Sequence, residues 1–292
     1  MNKVIKKSFG ILVKNSAMMQ PLIFYSLIML FFPMCMGTRV FSSIQISFAF
    51  GILMLLLFTA FLSGWFNTIK FAIDNYKEFN KNDEDYAMQV ARYNLDTGKN
   101  FFSGVGEYFA PVLVVVLVYF VISFVIFILG FYIYKIDNLT VDILKDVNLM
   151  SAYIQNNPKF IYFITFVTGA IQFLQFLIMF WLPKIFYETK NPLKALFSSI
   201  GFEFKHFWYS IGLYLFIVFT SIFFNILGAL FNQFYILSLI FMIISLYYIN
   251  YVFVLIFNGY KSKVLQIEVQ KMNNMDVFIK SSEVRKSDGE KE

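Results

Sequence analysis

From Phe207 to Tyr260 the chain runs for 54 residues without an Asp, Glu, Lys or Arg. No other feature restricts the fold as much. A soluble helix must show water a polar face, and this run has none to show. An apolar stretch of about 20 residues is long enough to cross a bilayer. Two shorter uncharged stretches, 108–134 and 160–183, repeat the pattern. Only 14% of the 292 residues are charged, against about 25% in soluble domains. The expectation is an all-α, polytopic membrane helix bundle.

Six spans are read, near 20–37, 43–66, 109–134, 160–183, 207–230 and 234–257. The long run exceeds one crossing and divides at "LFNQFY", residues 230–235. Lysine and arginine then sort by side. Twenty of the 24 fall at the N-terminus, between spans two and three, between spans four and five, or in the tail. Arg39, Lys135, Lys145 and Lys159 are the remaining four. Basic loops stay cytoplasmic. The expected localisation is therefore the inner membrane, multi-pass, with both termini in the cytoplasm. "LFFPMCMGTRV" lacks a small-residue cleavage site, so the first span is read as retained.

Three stretches leading into odd-numbered spans look alike. They are "VIKKSFGILVKNSAMMQPLIFYSL", "YAMQVARYNLDTGKNFFSGVGEYFAPVLV" and "PLKALFSSIGFEFKHFWYSIGLYLFIV". Each carries Lys followed by Asn or His just before its span: Lys14-Asn15, Lys99-Asn100 and Lys205-His206. The third begins with Asn191-Pro192, a capping residue and a first-turn proline. Leu193, Leu196, Phe197, Ile200, Phe204 and Phe207 share a helical face; Lys194, Ser198, Gly201 and Lys205 take the other. The first reads similarly, with Ile5, Phe9, Leu12 and Val13 opposite Lys3, Lys7 and Lys14. In the middle stretch Asp96-Thr97-Gly98 breaks the pattern. These are expected to be amphipathic interfacial helices before spans 1, 3 and 5. Two readings stay open: three two-span units (1–80, 81–185, 186–260), or one six-span domain over 1–260 whose basic loops are alike by composition. In the tail, 261–292, "KVLQIEVQ" alternates like a strand and the end reads as partly disordered. The outer loop 135–158 has room for one short helix and carries an Asn138-Leu139-Thr140 sequon.

The expected spans hold no Asp, Glu, Lys, Arg or His. Buried ionisable groups mark proton relays and ion paths, so chemistry of that kind is not expected. One cysteine, Cys35, and one histidine, His206, make no His/Cys metal set. Asp83-Glu84-Asp85 precedes a helix start, where acids favour the dipole. No catalytic, cofactor-binding or metal-binding residue is assigned, and the chain is read as a non-enzyme. Glu203, three residues before His206, suits an ion pair on one helix face. In span four Thr165, Thr168, Gln172 and Gln175 share a face that should turn inward, toward Asn225 and Asn250. Such a face either lines a substrate path or holds helices together. Gly64, Gly169, Gly212 and Gly228 suit close helix approach.

The basic "KKSFGILVKN" start, the six spans and "NPLKALFSSIGFEFKHFWYSIGLYLFIVF" resemble poorly characterised bacterial membrane proteins of the YciC and DUF975 type. The layout is also similar to the membrane domain attached to some glycerophosphoryl diester phosphodiesterases. The resemblance implies an accessory, scaffold or transport-related role in the envelope and carries over no catalytic residue. The alternative is a permease subunit of an ABC-type exporter, whose ATPase would dock on the loop between spans two and three. Expected partners are anionic lipids, met by Lys3, Lys7, Lys14, Lys194, Lys205 and His206, and a second copy or another membrane protein. No nucleic acid is expected.

Overall fold

The computed structural model describes residues 1–36, 44–77, 84–137, 139, 143, 146–231 and 233–289. Arg39, Lys81, Asp83, Lys145 and two residues of the sequon, Asn138 and Thr140, lie outside them, as do the side chains of Cys35 and of residues beyond Gln270. Among the described residues all regular structure is helical. In order these are α1 (Asn2–Lys14), a 3₁₀ turn (Ser16–Met18), α2 (Met19–Met36), α3 (Ile44–Asp74), α4 (Tyr86–Tyr134), α5 (Val147–Asn156), α6 (Pro158–Leu177), α7 (Trp181–Tyr187), α8 (Pro192–Lys205), α9 (Phe207–Phe231) and α10 (Tyr235–Gly289).

Five helical stretches are long and apolar enough to cross a membrane: Phe48–Asp74, Tyr86–Tyr134, Pro158–Tyr187, Phe207–Phe231 and Ile236–Gln270. The bent pair Asn2–Lys14 and Ser16–Met29 raises this to six. The chain is thus an all-α, multi-pass membrane helix bundle. The bend in that pair is 85°. It turns α1 across the line of α2, so the 18 residues of α2 form the arm of span length. At 1.5 Å per residue that arm is about 27 Å, close to a hydrocarbon core.

Three elements differ from expectation. α4 runs for 49 residues without a break at Asp96-Thr97-Gly98. Thr97 is fully buried and returns its hydroxyl to the Tyr93 carbonyl at 2.8 Å, while Lys99 pairs with Asp96. Both local bonds suit a helix, so the polar triplet does not interrupt it. The fourth span breaks instead at Ile178–Phe180, between α6 and α7. "KVLQIEVQ" continues α10 as helix. On that helix Val264 and Ile267 are half-buried while Leu265 and Val269 are exposed, and Lys261, just before them, bonds Asp74.

Helix ends follow capping rules. Asp146 accepts from the Asn148 and Leu149 amides and opens α5; Asn191 accepts from the Lys194 amide at 3.0 Å and opens α8. α4 ends with Lys135 in the left-handed region (φ 46°). The Lys135 amide reaches Tyr132 O and the Ile136 amide reaches Phe131 O, each at 3.3 Å, a Schellman closure. A non-glycine residue there costs roughly 1 kcal/mol, which the buried Ile136 behind it helps offset.

The residues form two compact units, neither contiguous in sequence. The first contains Met1–Phe32, Trp65–Phe101 and Leu215–Glu292. Its interior stacks Trp65, Phe66, Phe253 and Phe257, with ring centres 5.0–5.6 Å apart. In the α9–α10 hairpin Tyr248 stacks on Phe224 at 4.0 Å and meets Thr220 and Ser221 hydroxyls at 2.8 Å. The second contains Pro33–Gly64 and Phe102–Tyr214. There α5 and α6 close over Ile136, Phe160 and Phe163, and Gly130 lets α4 meet Phe163. Gly228 plays that role against Phe241, while Gly169 faces open space.

Candidate functional site

Apart from the Thr220–Ser221–Tyr248 set within the α9–α10 hairpin, many polar contacts among the described residues gather where a lead-in helix meets the end of an even-numbered span. Three such clasps are present, built from α1 on α10, α4 on α3, and α8 on α7.

In the first clasp Asn258 Nδ2 of α10 donates to Ser8 Oγ at 3.0 Å and to Val4 O at 3.3 Å. Ser8, Ile11 and Leu12 form the buried face of α1, and Gly10 lies against Tyr76. The elbow after α1 is held separately. Asn94 Nδ2 donates to Lys14 O at 3.0 Å, and its Oδ1 accepts from the Ala17 amide at 3.0 Å. Asn15 donates to Thr97 Oγ1 at 2.7 Å, and Trp65 Nε1 donates to Met18 O at 3.2 Å. The Asn94 and Trp65 bonds satisfy backbone groups at the 85° turn, and the Asn15–Thr97 bond ties side chain to side chain across it.

In the second clasp Tyr93 OH donates to Ala72 O at 2.7 Å, and Asn67 Nδ2 to Asn100 O at 2.8 Å. In the third, Trp181 Nε1 donates to Pro192 O at 2.7 Å. The buried Lys184 reaches Glu188 at 3.2 Å and lies over the Phe202 ring. Glu203 is 1% exposed. Its Oε1 accepts from the Phe180 amide at 3.3 Å, and its Oε2 has no partner. Burial pushes this carboxyl up to about 8, against the pull of the Phe180 amide.

A second repeat emerges on the spans themselves. Phe66-Asn67-Thr68-Ile69-Lys70, Phe180-Trp181-Leu182-Pro183-Lys184 and Phe257-Asn258-Gly259-Tyr260-Lys261 share Phe, a side-chain N–H donor and Lys at fixed spacing. The three phenylalanines are 1%, 0% and 0% exposed. In each case the donor bonds a carbonyl of the lead-in helix. The lead-in helices agree too. Three residues before the Asn15, Asn100 or His206 position stand Leu12, Thr97 and Glu203, and seven before stand Ser8, Tyr93 and Ser199. All six are buried. Periodicity alone missed Asn67, Asn94 and Trp181. The Phe-Asn-x-x-Lys pair was the available signal, masked by tryptophan at the middle copy.

The face on α6 is placed differently from expectation. Thr165, Thr168, Gln172 and Gln175 are all exposed. Thr165 bonds its own helix at Ile161 O. Gln172 Oε1 accepts from Tyr214 OH at 2.9 Å, and Gln175 donates to Tyr119 OH at 3.4 Å. The anticipated partners belong to the other compact unit: Asn225 is exposed on α9, and Asn250 is buried against Met19 Sδ at 2.9 Å.

Lys3, Lys7, Lys194 and Lys205 are exposed, while Lys14 lies near the Tyr76 ring. His206 is half-buried, the C-cap of α8, with its ring edge-on to Phe202 at 4.9 Å. No family model, curated protein or solved structure matches the chain.

Proposed function

We propose that this integral membrane protein is a non-enzymatic accessory or scaffold of the inner membrane, with its clasps on the cytoplasmic side. In this reading α1 and α8 lie in the headgroup layer. What carries it is the second apolar face of these helices. α1 packs Ser8, Ile11 and Leu12 inward yet leaves Phe9 and Val13 60% and 65% exposed, beside Lys3 and Lys7. α8 packs Ala195, Ser199 and Glu203 inward yet leaves Phe197 and Phe204 72% and 61% exposed, beside Lys194 and Lys205. The 85° bend between α1 and the helix that follows it supports α1 lying along the membrane surface. Exposed phenylalanine next to exposed lysine suits acyl chains below and phosphates above. Each lysine near an anionic surface is worth about 1 kcal/mol. The side bias of lysine and arginine supports the orientation. Tyrosines bonded to Gln172 and Gln175 support a packing role for the α6 face over a substrate path.

Two measurements test this. Reporter fusions after residues 85 and 292 should report cytoplasm and one after 147 the opposite side; an external signal at 85 or 292 overturns the orientation. Protein purified from native membrane in mild detergent should retain anionic lipid, and Lys194→Gln with Lys205→Gln should lower the amount. A stoichiometric ATPase in that sample would replace this reading with the exporter permease.

A further inference from the structure

Glu203 occupies a position where the other two lead-in helices place Leu12 and Thr97, neither of which ionises. Its carboxyl faces α7 rather than water, one oxygen on the Phe180 amide and the other without a partner. The charged groups of the packed elements are stationed elsewhere. On α7, Lys184 is turned to Glu188 and the Phe202 ring. Lys190 is held by Glu107 at 2.9 Å. On α8 itself Lys194 and Lys205 are exposed and His206 sits edge-on to Phe202. Tyr209 follows, half-buried, on α9. A carboxylate in this setting would keep its charge buried with a single amide for compensation, whereas a carboxylic acid would not.

We propose that Glu203 is a proton-binding group that couples the docking of α8 on α7 to pH. Protonated, it lets α8 seat its Ala195–Ser199–Glu203 face. Ionised, it weakens the clasp and releases α8 toward water or lipid. Between about pH 4.5 and 8, the range set by the ordinary and raised values, each pH unit shifts the docked-to-released ratio up to tenfold toward release. Above that range the ratio stops changing. The consequence for lipid contact rests on the proposed interfacial role of α8; the proton linkage does not.

The test uses the full chain in phosphatidylcholine nanodiscs, with and without phosphatidylglycerol. A hydrophobic carbodiimide, which modifies protonated buried carboxyls, is applied across pH, and the adduct is located by peptide mass. Deuterium uptake of residues 192–205 is followed in parallel. Labelling of Glu203 should persist to neutral pH and fall with a midpoint near 8, and uptake in α8 should rise over the window below it. With the intrinsic pH dependence of amide exchange divided out for parent and variants alike, Glu203→Gln and Glu203→Leu should leave uptake in α8 flat with pH. A labelling midpoint near that of an ordinary carboxyl, or uptake in either variant that still follows pH as in the parent, overturns the proposal. If the linkage holds but phosphatidylglycerol leaves α8 uptake unchanged, the proton site stands and the headgroup role of α8 fails.

Discussion

Asn258, on the last span, is bonded through its amide nitrogen to Ser8 Oγ at 3.0 Å, on the first helix, 250 residues away in sequence. The same nitrogen reaches Val4 O. Asn67 and Trp181 make the matching bond to the lead-in helices that follow their own spans. The final clasp therefore closes the series, since the helix it takes is the first in the chain.

Replacing Asn258 with Leu should loosen α1 selectively. The change leaves Ser8 Oγ and Val4 O facing an apolar side chain, at a cost of about 1–3 kcal/mol. The measurement is hydrogen exchange over residues 2–14, which should quicken, while exchange in α8 stays as in the parent. Equal quickening in both helices would mean that Asn258 supports the whole chain rather than one clasp.

The elbow offers a cleaner energy. Asn15 and Thr97 meet at 2.7 Å in a buried site, where water does not replace the lost bond. A double-mutant cycle with Asn15→Ala and Thr97→Ala should give a coupling near 1 kcal/mol, read from denaturation in detergent. Asn94→Ala should be worse than Asn15→Ala. It strips two backbone groups at once, the Lys14 carbonyl and the Ala17 amide.

In the α9–α10 hairpin a Cβ on Gly228 would sit 2.8 Å from Phe241 Cε1. Gly228→Val should cost about 1–3 kcal/mol through overpacking. Phe241→Leu in the same chain should recover part of it, because the obstacle is the far edge of a ring. A thermal shift equal in the single and double variants would place the damage elsewhere. Gly169→Ala, with open space around it, is the control.

How the sequence carried this fold follows from which forces leave a periodic trace. The 54-residue uncharged run implied two spans because lipid tolerates no charge there. The α9 and α10 cores fall where it was divided. Lys14-Asn15 and Lys205-His206 marked true helix ends, with Asn15 and His206 as the C-caps of α1 and α8. Asn100 marked no turn, because Asp96–Lys99 and Thr97 form helix bonds that composition alone reads as a loop. Polar spacing on α6 indicated a shared face but not its direction, which tyrosines on neighbouring helices decide. Glu203 was legible as a charged residue near a histidine. Its burial depends on α7, a short helix that the apolar run concealed.

The sign of the pH effect on stability follows from Glu203. Its carboxyl is raised to about 8 from an ordinary 4.5, so the folded state holds the proton more tightly than the unfolded chain. The stabilisation is fully present below about pH 4.5, declines as pH rises, and is gone above about 8. The steepest slope this permits is about 1.4 kcal/mol per pH unit, and relaxation of α8 makes the observed slope smaller. In detergent, the melting temperature of the parent minus that of Glu203→Gln should fall steadily from pH 5 to pH 8 and then level. Other carboxylates cancel in that difference. A difference that rises with pH would mean that Glu203 is held as the anion, and that a cation stands beside it in the folded protein.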